Sequence, residues 1–308
     1  MFRGFFNRMY YGKGDKPDLT PEDMAQNKFQ LFFEVMGVQW WNMIKLNLIV
    51  VLFALPAMLW TGINLQGITA ILTEAGEAVT SETAGKITSL LFYYIIGLVP
   101  CLIILAPGLA AMAGICRKWA RDEHVWLLAD FKDYLKVNWK QSMGLMTVNG
   151  LLLVLFVWSY WLYGQALAAS PQLFMMAMRM LMTVIAVFYA LSMLYMMPML
   201  VTYKLRIRDI IRNSILLAIA RLHFTVLFNL LILLPLILLG LLSLLWQYGT
   251  LILLGYYLVF GAAFGGYIAA AYTNATFDRF FQQPGEQNGS DGRRGAETVE
   301  ALDPEERI

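Results

Sequence analysis

The sequence predicts an all-α, polytopic membrane protein: six transmembrane helices as three hairpins, with amphipathic helices at the interface. Three observations lead there. Apolar residues (AVILMFWYC) make up 59% of the 308 residues and Asp, Glu, Lys and Arg only 14%, against about 45–50% and about 25% in soluble domains. The apolar residues fall in uncharged runs of the length, about 20 residues, that a helix needs to cross ~30 Å of hydrocarbon. Lys and Arg concentrate in alternate connecting segments.

The runs place spans at residues 46–63, 87–115, 142–164, 180–202, 224–246 and 251–272. Trp40 and Trp41 extend the first backward, and Pro100 and Pro107 interrupt the second. The last two share one uncharged stretch too long for a single crossing, so Gln247, Tyr248 and Gly249 supply a turn. Cys101 and Cys116 then share a helix, where 15 residues at 1.5 Å rise hold them roughly 22 Å apart and exclude a disulfide. The first apolar run starts after Lys45, too late for a cleaved signal peptide, so the N-terminus is expected to be mature sequence.

Orientation follows from the cations, because short loops rich in Lys and Arg stay cytoplasmic. With both termini inside, 21 of the 23 fall on the cytoplasmic side. Only Lys86 and Arg179 remain outside, each close enough to a span end to reach the headgroups. The expected location is the cell membrane, with three regions. Residues 1–45 form N-terminal cytoplasmic or interfacial helices, 46–277 the six-helix domain, and 278–308 a disordered cytoplasmic tail. In the first region, Thr20-Pro21-Glu22-Asp23 reads as a helix cap. Phe29, Phe32, Phe33, Met36 and Trp40 recur at helical spacing, and Phe2, Phe5, Phe6 and Met9 make a shorter stripe between Arg3 and Arg8. Both suit the bilayer interface. The tail is too polar to bury the surface that ordering requires.

Catalytic signatures are missing. His124 and His223 sit in different segments without metal-ligand spacing, and no nucleophile elbow or phosphate-binding loop occurs. The expectation is a protein without enzymatic activity, cofactor or metal. A net charge of +2 gives no field for nucleic acid. Ionisable groups that would mark a proton path within the spans are also missing, apart from Arg179 near the outer end of the fourth.

Neutral polar groups remain. Asn47, Asn149 and Asn229 occupy the cytoplasmic third of each odd-numbered span, as in a weak three-fold repeat. They suit a polar cluster that fixes helix register or faces a solute. Pro56, Pro100, Pro107, Pro198 and Pro235 would kink their helices. Gly108, Ala111 and Gly114, with Gly261, Gly265 and Ala269, form small faces for close packing within the chain or between two copies.

The densest signal lies between the second and third spans. Arg117, Lys118, Trp119, Arg121, His124 and Trp126 lead to Asp130, where a second short helix would present Phe131, Tyr134 and Leu135. Lys136, Trp139 and Lys140 come next. Indoles interleaved with cations suit the headgroup layer and anionic phospholipid. The later loop repeats the design, with Lys204, Arg208 and Arg212 at i, i+4, i+8 opposite Leu205, Ile207, Ile210 and Ile211. Lipid anchoring and docking of a cytoplasmic partner both fit.

On this segment the chain resembles the YesL-like membrane proteins of Firmicutes, a domain of unknown function. The stretches that carry the resemblance are Pro107-Gly108-Leu109-Ala110-Ala111, Arg117 to His124 with Trp126, and Asp130-Phe131-Lys132-Asp133 with Asn138-Trp139-Lys140-Gln141-Ser142. Asn47 with Pro56, and Tyr195-Met196-Met197-Pro198 leading into Arg206-Ile207-Arg208-Asp209 with Asn213, also fit. It covers residues 30–275 and leaves out the N-terminal extension and the tail. Such proteins are often encoded beside carbohydrate-uptake ABC transporters and glycoside hydrolases. The resemblance therefore implies an accessory or regulatory role in sugar uptake, with an ABC transporter component as partner. The chain lacks a permease coupling-loop signature, so it is not expected to be the permease. A small-solute transporter or channel lined by the three asparagines is the alternative.

Overall fold

A computed structural model describes residues 28–76, 80–169, 172–246 and 248–281. The cap at residues 20–23, the stripe at 2–9, the side chain of Phe29, Gln247 and the tail after 281 lie outside them. No strand occurs among the described residues.

Within the first of two compact units, Met1–Trp40, the described helix is α1 (Lys28–Val38). The second unit holds six helices long and apolar enough to cross a membrane: α2 (Trp40–Ala75), α3 (Ser81–Trp119), α4 (Leu127–Ala169), α5 (Leu173–Thr202), α7 (Leu222–Leu245), and a last span whose opening segment α8 (Gly249–Tyr256) passes through a π-helical turn at Tyr257–Gly261 into α9 (Ala262–Phe281). A shorter helix, α6 (Ile207–Ala220), links the fourth and fifth.

The helices outrun the apolar runs because their ends are set by caps. Gly76, at φ +59°, takes the left-handed conformation that closes a helix, and terminates α2 well after residue 63. Thr80 then accepts from the Thr83 amide (3.3 Å), with Glu82 in the first turn, and starts α3 six residues before the expected span. The short helix expected at Asp130 is not separate. It forms the first turns of α4, whose 43 residues extend about 64 Å, twice the hydrocarbon thickness. All five prolines lie inside these helices.

Hairpin partners touch at specific points. Trp60 Nε1 donates to the Tyr94 carbonyl (2.9 Å) across α2–α3, and Tyr189 donates to Asn149 Oδ1 (2.5 Å) across α4–α5. Phe228 stacks on Tyr272 at 4.2 Å in the third pair. Helix α3 joins the hairpins, since Gly114 meets the Tyr134 ring of α4 and Cys116 Sγ donates to the Ala263 carbonyl of α9. Lipid offers no hydrophobic drive to bring helices together, so small residues that let backbones approach carry the packing. Gly108 lies against Phe53, Gly265 against Ile232, and Gly266 against Met112. These small faces are occupied from within the chain.

The buried residues gather at one end. They occupy the start of α2 (Met43, Leu46, Asn47, Val50), the end of α3 from Ala106 to Trp119, positions from Phe131 to Gly150 of α4, the end of α5, one face of α6, Thr225 at the start of α7, and about half of α9. This is the end that carries the Lys/Arg-rich connections. At the opposite end the helices present large apolar side chains outward, among them Leu59, Ile63, Tyr93, Leu155 and Val184.

Candidate functional site

A cleft of about 850 Å³ opens at the basic end, where the last turn of α3, the first turns of α4 and the α5–α6 connection meet. Asp130 organises one wall. Its Oδ2 accepts from the Trp126 amide (2.9 Å), which closes the first turn of α4, and its Oδ1 accepts from Lys118 Nζ (2.9 Å). Lys118 in turn lies 5.9 Å from the Tyr134 ring centre. The opposite wall is the extended link after Thr202, held by Gln141 Nε2 donating to the Leu205 carbonyl (2.5 Å). With Lys118 and Asp130 neutralising each other, Asp133, Lys204 and Arg206 are the remaining charged groups that line the space among the described residues.

Behind this cleft a second group of charges packs together. Arg121 pairs with Asp278 (3.2 Å), and Asn274 Nδ2 donates to the Arg117 carbonyl (3.3 Å). Tyr203 lines the cleft and leans edge-on against Phe277 at 5.6 Å. Burial holds its phenol above the usual range, opposed by the positive charge of Arg117 and Arg121. The ring is therefore neutral at physiological pH and serves as a wall with a polar tip.

The residues that the sequence presents as one docking surface separate into two groups. Trp119 (2% exposed) and Phe131 (4% exposed) belong to the core, a correction to their reading as surface anchors. Phe131 is covered by Phe53 of α2, 6.1 Å away, a long-range contact that helical spacing does not reveal. Trp126 and Trp139 do face outward, Trp126 against His124 at 5.1 Å and Trp139 beneath Lys140 at 5.3 Å. Arg117 is half-buried and Arg121 is tied to α9. Lys204, Arg208 and Arg212 are exposed, but α6 begins only at Ile207, so Lys204 precedes the helix instead of sharing its face.

The three asparagines do not share a site. Asn47 Nδ2 donates to the carbonyls of Tyr257 (3.0 Å) and Leu258 (2.8 Å), while its Oδ1 accepts from the Ala263 amide (2.9 Å). It reaches across the π-helical turn, bonding two carbonyls at its start and an amide just beyond its end. Asn149 is bound to Tyr189 and to the sulfur of Met196 (3.5 Å). Asn229 donates to its own helix at Thr225 (2.9 Å). Asp133, Gln141 and Arg206 stand in stretches that the sequence marks but without a place in a site, and Tyr203 is not marked at all; they share the cleft only through the approach of elements 60 or more residues apart. Among the described residues no group of three His, Cys, Asp or Glu side chains converges on a metal position.

The cleft takes one wall from a segment that known proteins share. Residues 86–160 match DUF624, described as a protein of unknown function. The match spans most of α3 and α4, including Lys118, Asp130 and Gln141. No curated protein and no solved structure matches the chain.

Proposed function

We propose that this is a non-enzymatic component of the cell membrane, with both termini cytoplasmic, that docks a partner at its basic end and assists carbohydrate uptake by an ABC-type transporter. The observation that carries the docking is the cleft, lined in part by exposed Lys204 and Arg206, with exposed Arg208 and Arg212 following directly on α6. The cytoplasmic orientation rests on the segregation of 21 of 23 cations to this side. Trp126, Trp139 and Lys140 would sit among anionic headgroups and hold the rim at the membrane surface. The sugar-uptake role rests on the resemblance to YesL-like proteins. Against a carrier, each asparagine is satisfied by its own neighbour, and among the described residues no chain of ionisable groups crosses the helices.

Crosslinking in native membranes followed by quantitative mass spectrometry tests the reading. The triple variant Lys204→Glu, Arg208→Glu, Arg212→Glu should lose about tenfold or more of its transporter-subunit recovery, since like-charge juxtaposition costs several kcal/mol. Recovery equal to that of the unaltered protein would remove the docking mechanism. Flux in proteoliposomes should be unchanged by Asn149→Leu with Asn229→Leu. A solute current that disappears in this double variant would favour the carrier.

A further inference from the structure

The end remote from the basic loops carries a second feature that the docking role does not use. Arg179 lies seven residues into α5, half-buried, with its guanidinium 4.2 Å from the centre of the Tyr160 ring of α4. Gly164, one turn further along α4, faces the guanidinium: a Cβ there would be in ordinary van der Waals contact with it, at 3.9 Å. Among the described residues no carboxylate pairs with Arg179. A cation placed in an apolar helix is expected to face a partner or a headgroup, and here the aromatic face satisfies only one side of the guanidinium plane.

Two grooves of about 370 Å³ each meet at the Tyr160 ring, and Arg179 lines one of them. One lies between α4 and α5 and includes Phe156, Met182, Ala186 and Met193. The other lies toward α3 and includes Leu91, Phe92, Ile95 and Trp161. They share Val157 and Tyr160, so the grooves straddle one ridge of α4. Among the described residues Arg179 is the one charged side chain lining either of them. Along α5 the first groove extends from Met182 to Met193, about 17 Å at 1.5 Å per residue, close to the ~15 Å half-thickness of the hydrocarbon. One turn before its foot, Tyr189 lines the groove and donates to Asn149 in the core.

We infer that this is a binding site for one anionic glycerophospholipid, with the phosphate on Arg179 and one acyl chain in each groove. The depth matches a single leaflet, and two grooves below one cation match two chains below one phosphate. Gln165 and Thr88, which line the second groove beside Arg179, supply further hydrogen-bonding groups at headgroup level. The headgroup is anionic because the lining has no carboxylate to receive the ammonium of a zwitterionic lipid. Tyr160 holds the guanidinium in place before the lipid arrives, which distinguishes the site from the freely exchanging lipid around any membrane protein.

Native mass spectrometry of the full chain, released from nanodiscs of equal phosphatidylglycerol and phosphatidylcholine, tests this. One phosphatidylglycerol per chain should be retained with a preference of about fivefold, the effect of one cation on an anionic lipid. Arg179→Gln should erase the preference, and Arg179→Lys should keep most of it. Ala186→Trp, which fills the first groove and leaves Arg179 in place, should lower retention of both lipids. Equal retention of the two lipids by the unaltered protein, or an undiminished preference in Arg179→Gln, overturns the proposal. If Ala186→Trp fails to fold, the glutamine and lysine variants decide.

Discussion

Replacing Asn47 by leucine is expected to lower the unfolding free energy in detergent by about 2–5 kcal/mol. The lower bound takes three interhelical hydrogen bonds at the ~0.6 kcal/mol average within membranes, and the upper adds the ~1–3 kcal/mol cost of a buried group left unpaired. Three backbone groups lose their partner together: the carbonyls of Tyr257 and Leu258 and the amide of Ala263. Asn47 is fully buried, so no solvent reaches the positions that its amide would leave. Asn47→Asp is the sharper test. It preserves size and the bond from Ala263 but sets a carboxylate against two carbonyls, so it should destabilise at least as much as leucine. Equal midpoints for all three proteins in a denaturant titration would show that the turn does not depend on this side chain.

Asn47 also shows where the sequence stops being informative. An amide in an apolar run marks itself as a residue that needs a partner, and this much is legible. The partner is not, because a π-helical turn has no residue signature and lies more than 200 positions away. The six spans are readable from charge exclusion, since charge inside hydrocarbon costs about 2.5–3.5 kcal/mol per residue on insertion scales. Their lengths are not. A helix continues through the headgroup layer until a cap stops it, and Gly76 and Thr80 act as stops only in combination with their neighbours further along the chain. The aromatic loop reads as one surface because Trp119, Trp126, Phe131 and Trp139 share a composition. Which of them face inward depends on Phe53 and α9, contacts that spacing along one helix does not encode. For the same reason Lys118 and Asp130 are visible as charges while the cleft between them and Tyr203 is not.

Gly114→Ala is expected to destabilise the protein by about 1–3 kcal/mol, the range for forcing a methyl into a packed core. A Cβ at this position would stand 2.6–2.7 Å from three atoms of the Tyr134 ring, so the ring or the helix must move. Tyr134 is a rigid aromatic held between α3 and α4, and it cannot yield as the end of an aliphatic chain would. Gly85→Ala, on the same helix with nothing within 4 Å of its Cβ, is the internal control. It should stabilise by about 0.5–1 kcal/mol, because glycine in a helix interior carries an entropic penalty. The double variant Gly114→Ala with Tyr134→Ala should cost less than the sum of its parts, since removing the ring removes the clash. The consequence reaches the basic end, because Tyr134 also lines the cleft and lies beneath Lys118. Displacing it changes the shape of the opening without altering any charge, so Gly114→Ala should reduce partner recovery even at temperatures where the variant is folded. Matching stability losses for Gly114→Ala and Gly85→Ala would mean that the α3–α4 contact tolerates the methyl, and the close approach at Gly114 would not be what shapes the cleft.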